Sequence, residues 1–419
     1  PYPLFAGPDR VGNYPVYNRF DFNTCLNYPA GLGGEGPHKV TVYGCDPYED
    51  RALYTLLIDL SRITGNPKYR AEAEKALTWW FTHTLGPADL YPWGEHLGWD
   101  FEHDCPTYFK GPSKLLYGAC YHEIKDTVPF LDLLAKLPAA KPDELAPLER
   151  YALGVWNAHY WDQARCIYCR HGDYTGQDRR MGSLAGFPAH QGAHLRLWVC
   201  TYLATSNAAV KRQMAQILSK VLDVQIARAR EFGFIPFTFD PDVKGTKPHK
   251  SGQSDRLGYH AAELAVRIRA AHARLADKLA ELARLILGDE KLKQAEKSIE
   301  MYLATRDSGY LQGAYYPAHK PAARVRDLSK ANTPTPHARE IIRLLQWHKH
   351  TGDAAYLTAA VQQARLAYVR FMDGACPLPK AYEAPRKTVE GKPFPDFYFR
   401  GACLVHAFAL LAEAKAKTR

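Results

Sequence analysis

The segment Tyr91-Pro92-Trp93-Gly94-Glu95-His96-Leu97-Gly98-Trp99-Asp100-Phe101-Glu102-His103-Asp104 puts two histidines, four carboxylates, two tryptophans and two further aromatic rings into fourteen residues. A buried core rarely has this composition, because an unpaired carboxylate is costly to bury. A solvated loop rarely carries so much aromatic area. Aromatic walls with converging acids and imidazoles suit a cleft that holds a polar, ring-shaped ligand such as a sugar.

Three more clusters of this kind occur further along the chain. Tyr121-His122-Glu123-Ile124-Lys125-Asp126 ends a helical run, and Pro129 is placed to open the next helix. Trp156-Asn157-Ala158-His159-Tyr160-Trp161-Asp162 leads into Cys169-Arg170-His171-Gly172-Asp173. Phe187-Pro188-Ala189-His190-Gln191-Gly192-Ala193-His194-Leu195-Arg196 opens another helix. Taken singly, each has an ordinary structural explanation. A lone histidine near a helix end is usually a hydrogen-bonding group, His122-Glu123 reads as a helix-terminal polar pair, and Arg170 as a bridge to a carboxylate. Trp156 and Trp198 read as core fillers. The argument for function is that imidazoles, a carboxylate and an arginine gather beside aromatic loops between residues 91 and 173.

The elements that must position these residues are helical. Four tight turns of one design recur, at Ile63-Thr64-Gly65-Asn66-Pro67-Lys68-Tyr69, Ala204-Thr205-Ser206-Asn207-Ala208-Ala209-Val210, Ile286-Leu287-Gly288-Asp289-Glu290-Lys291-Leu292 and His350-Thr351-Gly352-Asp353-Ala354-Ala355-Tyr356. Gly65, Gly288 and Gly352 suit the left-handed residue that ends a helix. The Asn or Asp after the glycine suits the cap of the next one. Three positions further on, an apolar or aromatic residue can pack back on the old helix. Leu53, Leu56, Leu57, Leu60 and Ile63 fall at helical spacing before the first turn. Ile341, Leu344, Leu345 and His348 do so before the last, and Leu357, Ala360, Ala364 and Tyr368 after it. Alternating β-branched strands are scarce. The expected class is all-α, an (α/α) toroid of about six to seven helical hairpins whose inner helices and loops line one cleft. It is read as a single catalytic domain over 1–419, with residues 1–48, rich in Tyr, Pro, Gly and Asn, as an irregular cap.

Composition narrows the function classes. With 46% hydrophobic and 23% charged residues the chain is globular rather than disordered. No apolar run approaches the roughly 20 residues of a membrane span. The net charge of +10 comes from Lys and Arg spread among Asp and Glu, without the basic tract of a nucleic-acid arm. A polyanionic substrate such as an acidic polysaccharide fits that charge, as does a merely soluble surface. Nine cysteines follow no framework, and Cys166-x-x-Cys169 has no second pair at zinc-ribbon spacing, so mostly free, packed cysteines are expected, with room for one or two disulfides. The chain opens at Pro1, which fits a processed N-terminus and a periplasmic or secreted protein, with a cytoplasmic one as the alternative. Oligomeric state is not readable.

The combination resembles polysaccharide lyase family 2, the metal-dependent pectate lyases built on an (α/α) toroid. The resemblance rests on three short motifs in the family's order, spaced by 27 (123 − 96) and 48 (171 − 123) residues. Trp93-Gly94-Glu95-His96 matches the motif that supplies one metal histidine. His122-Glu123-Ile124-Lys125, with Pro129-Phe130 after it, matches the motif of the metal glutamate. Arg170-His171-Gly172 matches the motif of the catalytic arginine and second metal histidine. The resemblance thus implies His96, Glu123 and His171 as metal ligands and Arg170 as base. Candidates for substrate contact are Trp93, Trp99, Lys125, His190, Arg256 and Arg400.

That donor set of two imidazoles and one carboxylate suits a divalent transition ion such as Mn²⁺ better than Ca²⁺, which prefers oxygen shells. The implied chemistry is β-elimination in a uronate polymer, where the C5 proton is removed beside a carboxylate that must be neutralised. From the residues alone, Arg170 reads equally as a bidentate clamp on that carboxylate. Two other classes stay open at this point. One is a glycoside hydrolase using a pair from Glu95, Asp100, Glu102 and Asp104. The other is a non-catalytic glycan-binding protein.

Overall fold

The computed structural model describes residues 47–91, 97–100, 105–108, 120–121, 142–157, 161–168, 172–173, 188–236, 248–305, 323–331, 333–372, 388–389, 392–393 and 402–418. Among them, ten helices dominate, and the strands are short antiparallel pairs of two to four residues. The all-α class expected from the hairpin turns is what the chain adopts. The cap expected over residues 1–48 lies outside the described residues, apart from Pro47 and Tyr48, which open the first helix. The chain divides into two compact units, Trp79–Lys320 and the pair of segments Pro1–Thr78 and Pro321–Arg419.

In the unit Trp79–Lys320, the helices are α3 (Pro142–Asn157), α4 (Pro188–Ala204), α5 (Ala208–Phe232), α6 (Gly252–Ile268) and α7 (Ala273–Thr305). Asn207 caps α5 as expected, its Oδ1 accepting from the backbone N–H of Ala209 at 3.0 Å and of Val210 at 3.3 Å. Gly233 closes α5 in the left-handed region and donates to Ala229 O at 2.8 Å. Ser251 caps α6 through Gln253 N. The third predicted turn breaks α7 at Gly288, but with φ 71° and ψ 167°, where Gly233 and Gly352 have ψ near zero. It is an extended, glycine-only kink and not the left-handed cap expected.

Alternate helices pack side by side in parallel. Gly192 of α4 lies against His260 of α6, Arg196 binds Glu263, and Cys200 meets Arg267. Residue numbers rise together along both helices, so the two run the same way. The returning helices α5 and α7 pack on each other. This is the local geometry of an (α/α) hairpin array.

The unit formed by Pro1–Thr78 and Pro321–Arg419 repeats the pattern. It holds α1 (Pro47–Thr64), α8 (Pro334–Thr351), α9 (Ala354–Phe371) and α10 (Ala402–Lys417). Thr335 near the start of α8 meets Cys403 near the start of α10 at 3.7 Å. Along α10, Asp59 and Arg62 of α1 meet His406 and Glu413 in the same order. Thus α1, α10 and α8 are parallel neighbours, and α9 returns outside α8. Gly352 and Asp353 make the α8–α9 turn as predicted, with Asp353 Oδ1 accepting from Ala355 N at 2.9 Å. Tyr356 then packs back on Trp347 of the older helix, rings 6.2 Å apart.

Two apolar stripes differ from expectation. On α9 the buried face is Tyr356, Ala359, Ala360, Gln363, Ala364, Ala367 and Phe371, while Tyr368 is 57% exposed. The small alanines let α9 approach α8 closely, and Tyr368 falls just past the edge of that face. On α1, among the described side chains, Tyr54, Leu56 and Ile58 are buried and Leu53, Leu57, Leu60 and Ile63 are half-buried.

The last helix beginning in the first segment is α2 (Pro67–His83). Its C-terminal turn anchors the loop that leads to Tyr91. Tyr91 is fully buried, donates to Phe81 O at 2.9 Å and packs on Tyr151 of α3 at 4.7 Å between rings. Burial pushes the Tyr91 hydroxyl well above its ordinary range, so it stays a neutral donor. The loop ahead of it touches α3 without a gap. Asp89 is in a left-handed conformation (φ 57°) and Arg150 holds its carboxylate at 2.8 Å. Gly154 is required beneath it, because a Cβ there would meet Asp89 O at 2.5 Å. Gly154→Ala should therefore destabilise the protein by about 1–3 kcal/mol, read as a lower denaturant midpoint. Gly252→Ala, whose Cβ meets nothing within 4 Å, serves as the mild comparison.

Candidate functional site

The described structure fixes the frame around the motif segments. Tyr91 pins the start of the opening segment into the core between α2 and α3. One residue after His96 the chain enters β1 (Leu97–Asp100), which pairs antiparallel with β2 (Cys105–Tyr108), Trp99 opposite Pro106. The second and third motifs are joined by a ladder. β3 (Cys120–Tyr121) pairs antiparallel with β6 (Gly172–Asp173), Tyr121 opposite Gly172 and Cys120 opposite Asp173. Between them, β4 (Trp161–Asp162) and β5 (Ile167–Tyr168) form a tight hairpin. Asp162 Oδ1 caps its turn by accepting from Ala164 N and Arg165 N, both at 3.0 Å. Gln225 and Arg228 of α5 hold the turn down through Cys166 O, each at 3.4 Å.

His96, Glu123, Arg170, His171, Trp93, Lys125 and Arg400 lie outside the described residues. Trp99 is described as backbone in β1. The other two candidates are placed fully. His190 is half-buried in the first turn of α4, and Arg256 is half-buried near the start of α6. The parallel register of the two helices, Gly192 with His260 and Arg196 with Glu263, sets Arg256 about level with Pro188. His190 and Arg256 therefore stand at the same end of the helix pair. It is the end at which the chain enters α4, fifteen residues after the end of β6 (188 − 173).

The seam between α4 and α6 is polar. Glu263 has no solvent exposure and is bound by two arginines, Arg196 Nη2 at 2.9 Å and Arg267 Nε at 2.5 Å. Arg196 is itself only 3% exposed. Arg267 also reaches Cys200 Sγ at 3.4 Å. Above this pair, Gly192 has no room for a side chain, because the His260 ring comes within 2.8 Å of where a Cβ would sit. The constellation from His190 to Arg196 was visible in the sequence. His260, Glu263 and Arg267 were not singled out, although Arg256, His260, Glu263 and Arg267 recur at helical spacing through an apolar helix.

On the other side of α4, His194 is 1% exposed and its ring lies 5.8 Å from that of Trp198. Trp198 donates to Ala152 O of α3 at 3.0 Å and packs edge-on against Trp156, both as core residues, in line with their sequence reading. Burial, with the neighbouring His190 adding to it, pushes His194 down to about 3. Cys166, Cys200 and Cys403 carry free thiols, as expected of packed cysteines.

Comparison with known proteins gives a partial match. Residues 50–187 match the periplasmic pectate lyase family. The resemblance read from the three motifs is thus met by this match, whose span contains His96, Glu123, Arg170 and His171 and excludes His190, Arg256 and Arg400. Among solved structures, a cellobiose 2-epimerase from Bacillus thermoamylovorans B4167 aligns with 11% identity over 87% of this chain and 88% of that chain, with a TM-score of 0.37.

The α4 region generates two expected outcomes. The unfolded chain binds a proton at His194 below about pH 6.5, and the folded chain resists it down to about 3. Stability should therefore fall with acidification through that window, by about 2 kcal/mol at pH 5. His194→Gln should flatten the loss, measured as denaturant midpoints at pH 5 and 7.5. Glu263→Ala strands two arginines and should cost about 3–5 kcal/mol, measured in the same way at pH 7.5.

Proposed function

We propose that this protein is a polysaccharide lyase acting on an acidic, uronate-containing polymer of the pectate type, in the periplasm or outside the cell. The observation that carries the reading is the extent of the family match. Residues 50–187 take in all three motifs, and the matched family is described as periplasmic pectate lyase. Among the described residues, no helix is long and apolar enough to cross a membrane.

The β3–β6 ladder adds support from the fold. It stops one residue short of His171 and two short of Glu123, and successive Cα atoms lie only about 3.8 Å apart. The ladder thus pairs Tyr121, which precedes the second motif, with Gly172, the last residue of the third. Two imidazoles and one carboxylate, His96, His171 and Glu123, make a donor set for a divalent transition ion, with Mn²⁺ the best fit. When bound, such an ion would supply the positive charge that neutralises the uronate carboxylate.

In the proposed reaction Arg170 takes the proton from C5. The electron pair left behind forms the C4–C5 double bond, the C4–O4 bond breaks, and the departing oxygen takes a proton from solvent. Arg170 must be neutral to accept the proton, and neighbouring positive charge pushes it that way. Trp93 and Trp99 offer stacking surface to sugar rings. Lys125, His190, Arg256 and Arg400 offer donors to further carboxylates along the polymer. His190 and Arg256 stand at one end of the α4–α6 pair.

The decisive assay is ultraviolet absorbance of the 4,5-unsaturated chain end, with polygalacturonate as substrate. Absorbance should rise, stop on addition of chelator and return with Mn²⁺. His96→Ala should lose metal and activity together. Arg170→Ala should keep its metal and lose at least about a thousandfold in kcat, the upper part of the range for a missing acid–base group. Release of reducing ends without absorbance would overturn the reading in favour of hydrolysis by Glu95, Asp100, Glu102 or Asp104.

A further inference from the structure

The unit containing α8, α9 and α10 holds a buried histidine that the lyase reading does not use. His337 lies in the first turn of α8 and is 3% exposed. Its Nδ1 sits 3.0 Å from Nε2 of Gln363, a fully buried residue of α9. The Oε1 of the same Gln363 accepts from the backbone N–H of Arg326 at 3.1 Å. Arg326 belongs to a strap, residues 323–331, that runs over α9 ahead of α8. Arg370 of α9 holds the strap again further along, donating to Leu328 O and Ser329 O, each at 2.8 Å. Ala323 packs against the core beneath.

These bonds fix one another's direction. A backbone N–H can only donate, so it sets the carbonyl end of the Gln363 amide toward Arg326. The amide's NH₂ end therefore faces His337, and Nδ1 must accept. A neutral imidazole that accepts at Nδ1 carries its proton on Nε2. A second proton would go to Nδ1 and meet an N–H donor head on. The conflict is relieved only if the Gln363 amide turns over, and then Arg326 N–H faces NH₂ and loses its acceptor. The positive end of the α8 dipole works in the same direction, against an imidazolium in its first turn.

We propose that His337, Gln363 and the Arg326 amide form a proton-operated latch, closed while His337 is neutral and released from α9 when it is protonated. Among the described residues, the charged and titratable groups on the elements packed here include Arg339 and the Glu340–Arg343 pair on α8, Arg365 and Arg370 on α9, Cys403 on α10, and Arg324, Arg326, Asp327 and Lys330 in the strap. Asp327 is held below the usual carboxylate range by the N–H of Ser329, so it stays ionised across the window in which histidines titrate. In this proposal His337 is the group whose charge operates the latch. The latch is independent of the lyase reading and stands or falls without it.

The test uses the full chain with ¹⁵N-labelled histidine, the His337 signals being assigned by their loss in His337→Gln. At pH 8 the two-bond ¹⁵N–¹H pattern should be that of the Nε2–H tautomer. Amide exchange of residues 323–331, corrected for the intrinsic effect of pH, should rise about tenfold between pH 8 and pH 5, the scale of one to two net hydrogen bonds. Gln363→Glu supplies a carboxylate that accepts from both sides, and should keep the strap protected at pH 5. An Nδ1–H tautomer at pH 8, equal strap protection at both pH values, or an unchanged acid response in Gln363→Glu would each overturn the proposal. The tautomer and exchange of the wild-type chain decide it even if a variant does not fold.

Discussion

Glu263 is the interaction on which the Trp79–Lys320 unit turns. A carboxylate with no solvent exposure must be neutralised where it stands. Arg196 and Arg267 do this from two helices, and the geometry leaves α4 and α6 no freedom to slide. An apolar seam of the same volume could be as stable or more so, but leucines tolerate a shift of one turn and a buried ion pair does not. Gly192 makes the same demand sterically, since only the missing Cβ lets His260 lie against α4. Charge and shape therefore set one register. That register puts the starts of α4 and α6 at the same end.

The smaller unit reaches the same arrangement by a cheaper route. Its parallel helices α1 and α10 are matched by His406 with Asp59 at 2.6 Å and by Arg62 with Glu413, pairs that are partly exposed. Exposed pairs contribute little to stability, so the core of Ile341, Leu344, Tyr356, Phe371 and Leu404 carries the packing there. The Arg62 and Lys417 donors still hold the Glu413 carboxylate down at about 2, which keeps it charged under any physiological condition. Alternate helices running parallel, with connections returning outside them, gather loops at one end of each unit. Function on such a scaffold is carried by the residues in those loops.

The sequence made the hairpins plain because their turns depend on local chemistry. Gly65, Gly352, Asn207 and Asp353 act within a few residues of themselves, so their types announce their roles. The three motifs were readable for the same reason, as short runs of residues with few structural uses in common. The features that stayed hidden depend on partners distant in the chain. Nothing local marks Glu263 as the mate of Arg196, 67 residues earlier (263 − 196). Nothing local marks Gln363 as the residue that orients His337. Tyr368 was misplaced because a periodic pattern locates a face but not its edge, and the alanines beside it moved that edge.

The proposed site joins two kinds of support, and the chemistry explains why both are needed. Proton abstraction demands a base held within about 0.5 Å of its productive position, which loops achieve only when tethered at close intervals. Here the tethers are dense: Tyr91 in the core before the first motif, β1 directly after it, and the β3–β6 ladder between the second and third. Recognition of a long polymer asks less of each contact and more of their spacing. The proposed contacts His190 and Arg256 sit on helices whose register is fixed by Gly192–His260 and Arg196–Glu263. A polyanion approaching a chain of net charge +10 is attracted before any of these groups is in reach. On the proposed lyase reading, long-range charge gathers the polymer, the helix pair sets its register, and the tethered loops are left with the one task that requires close placement.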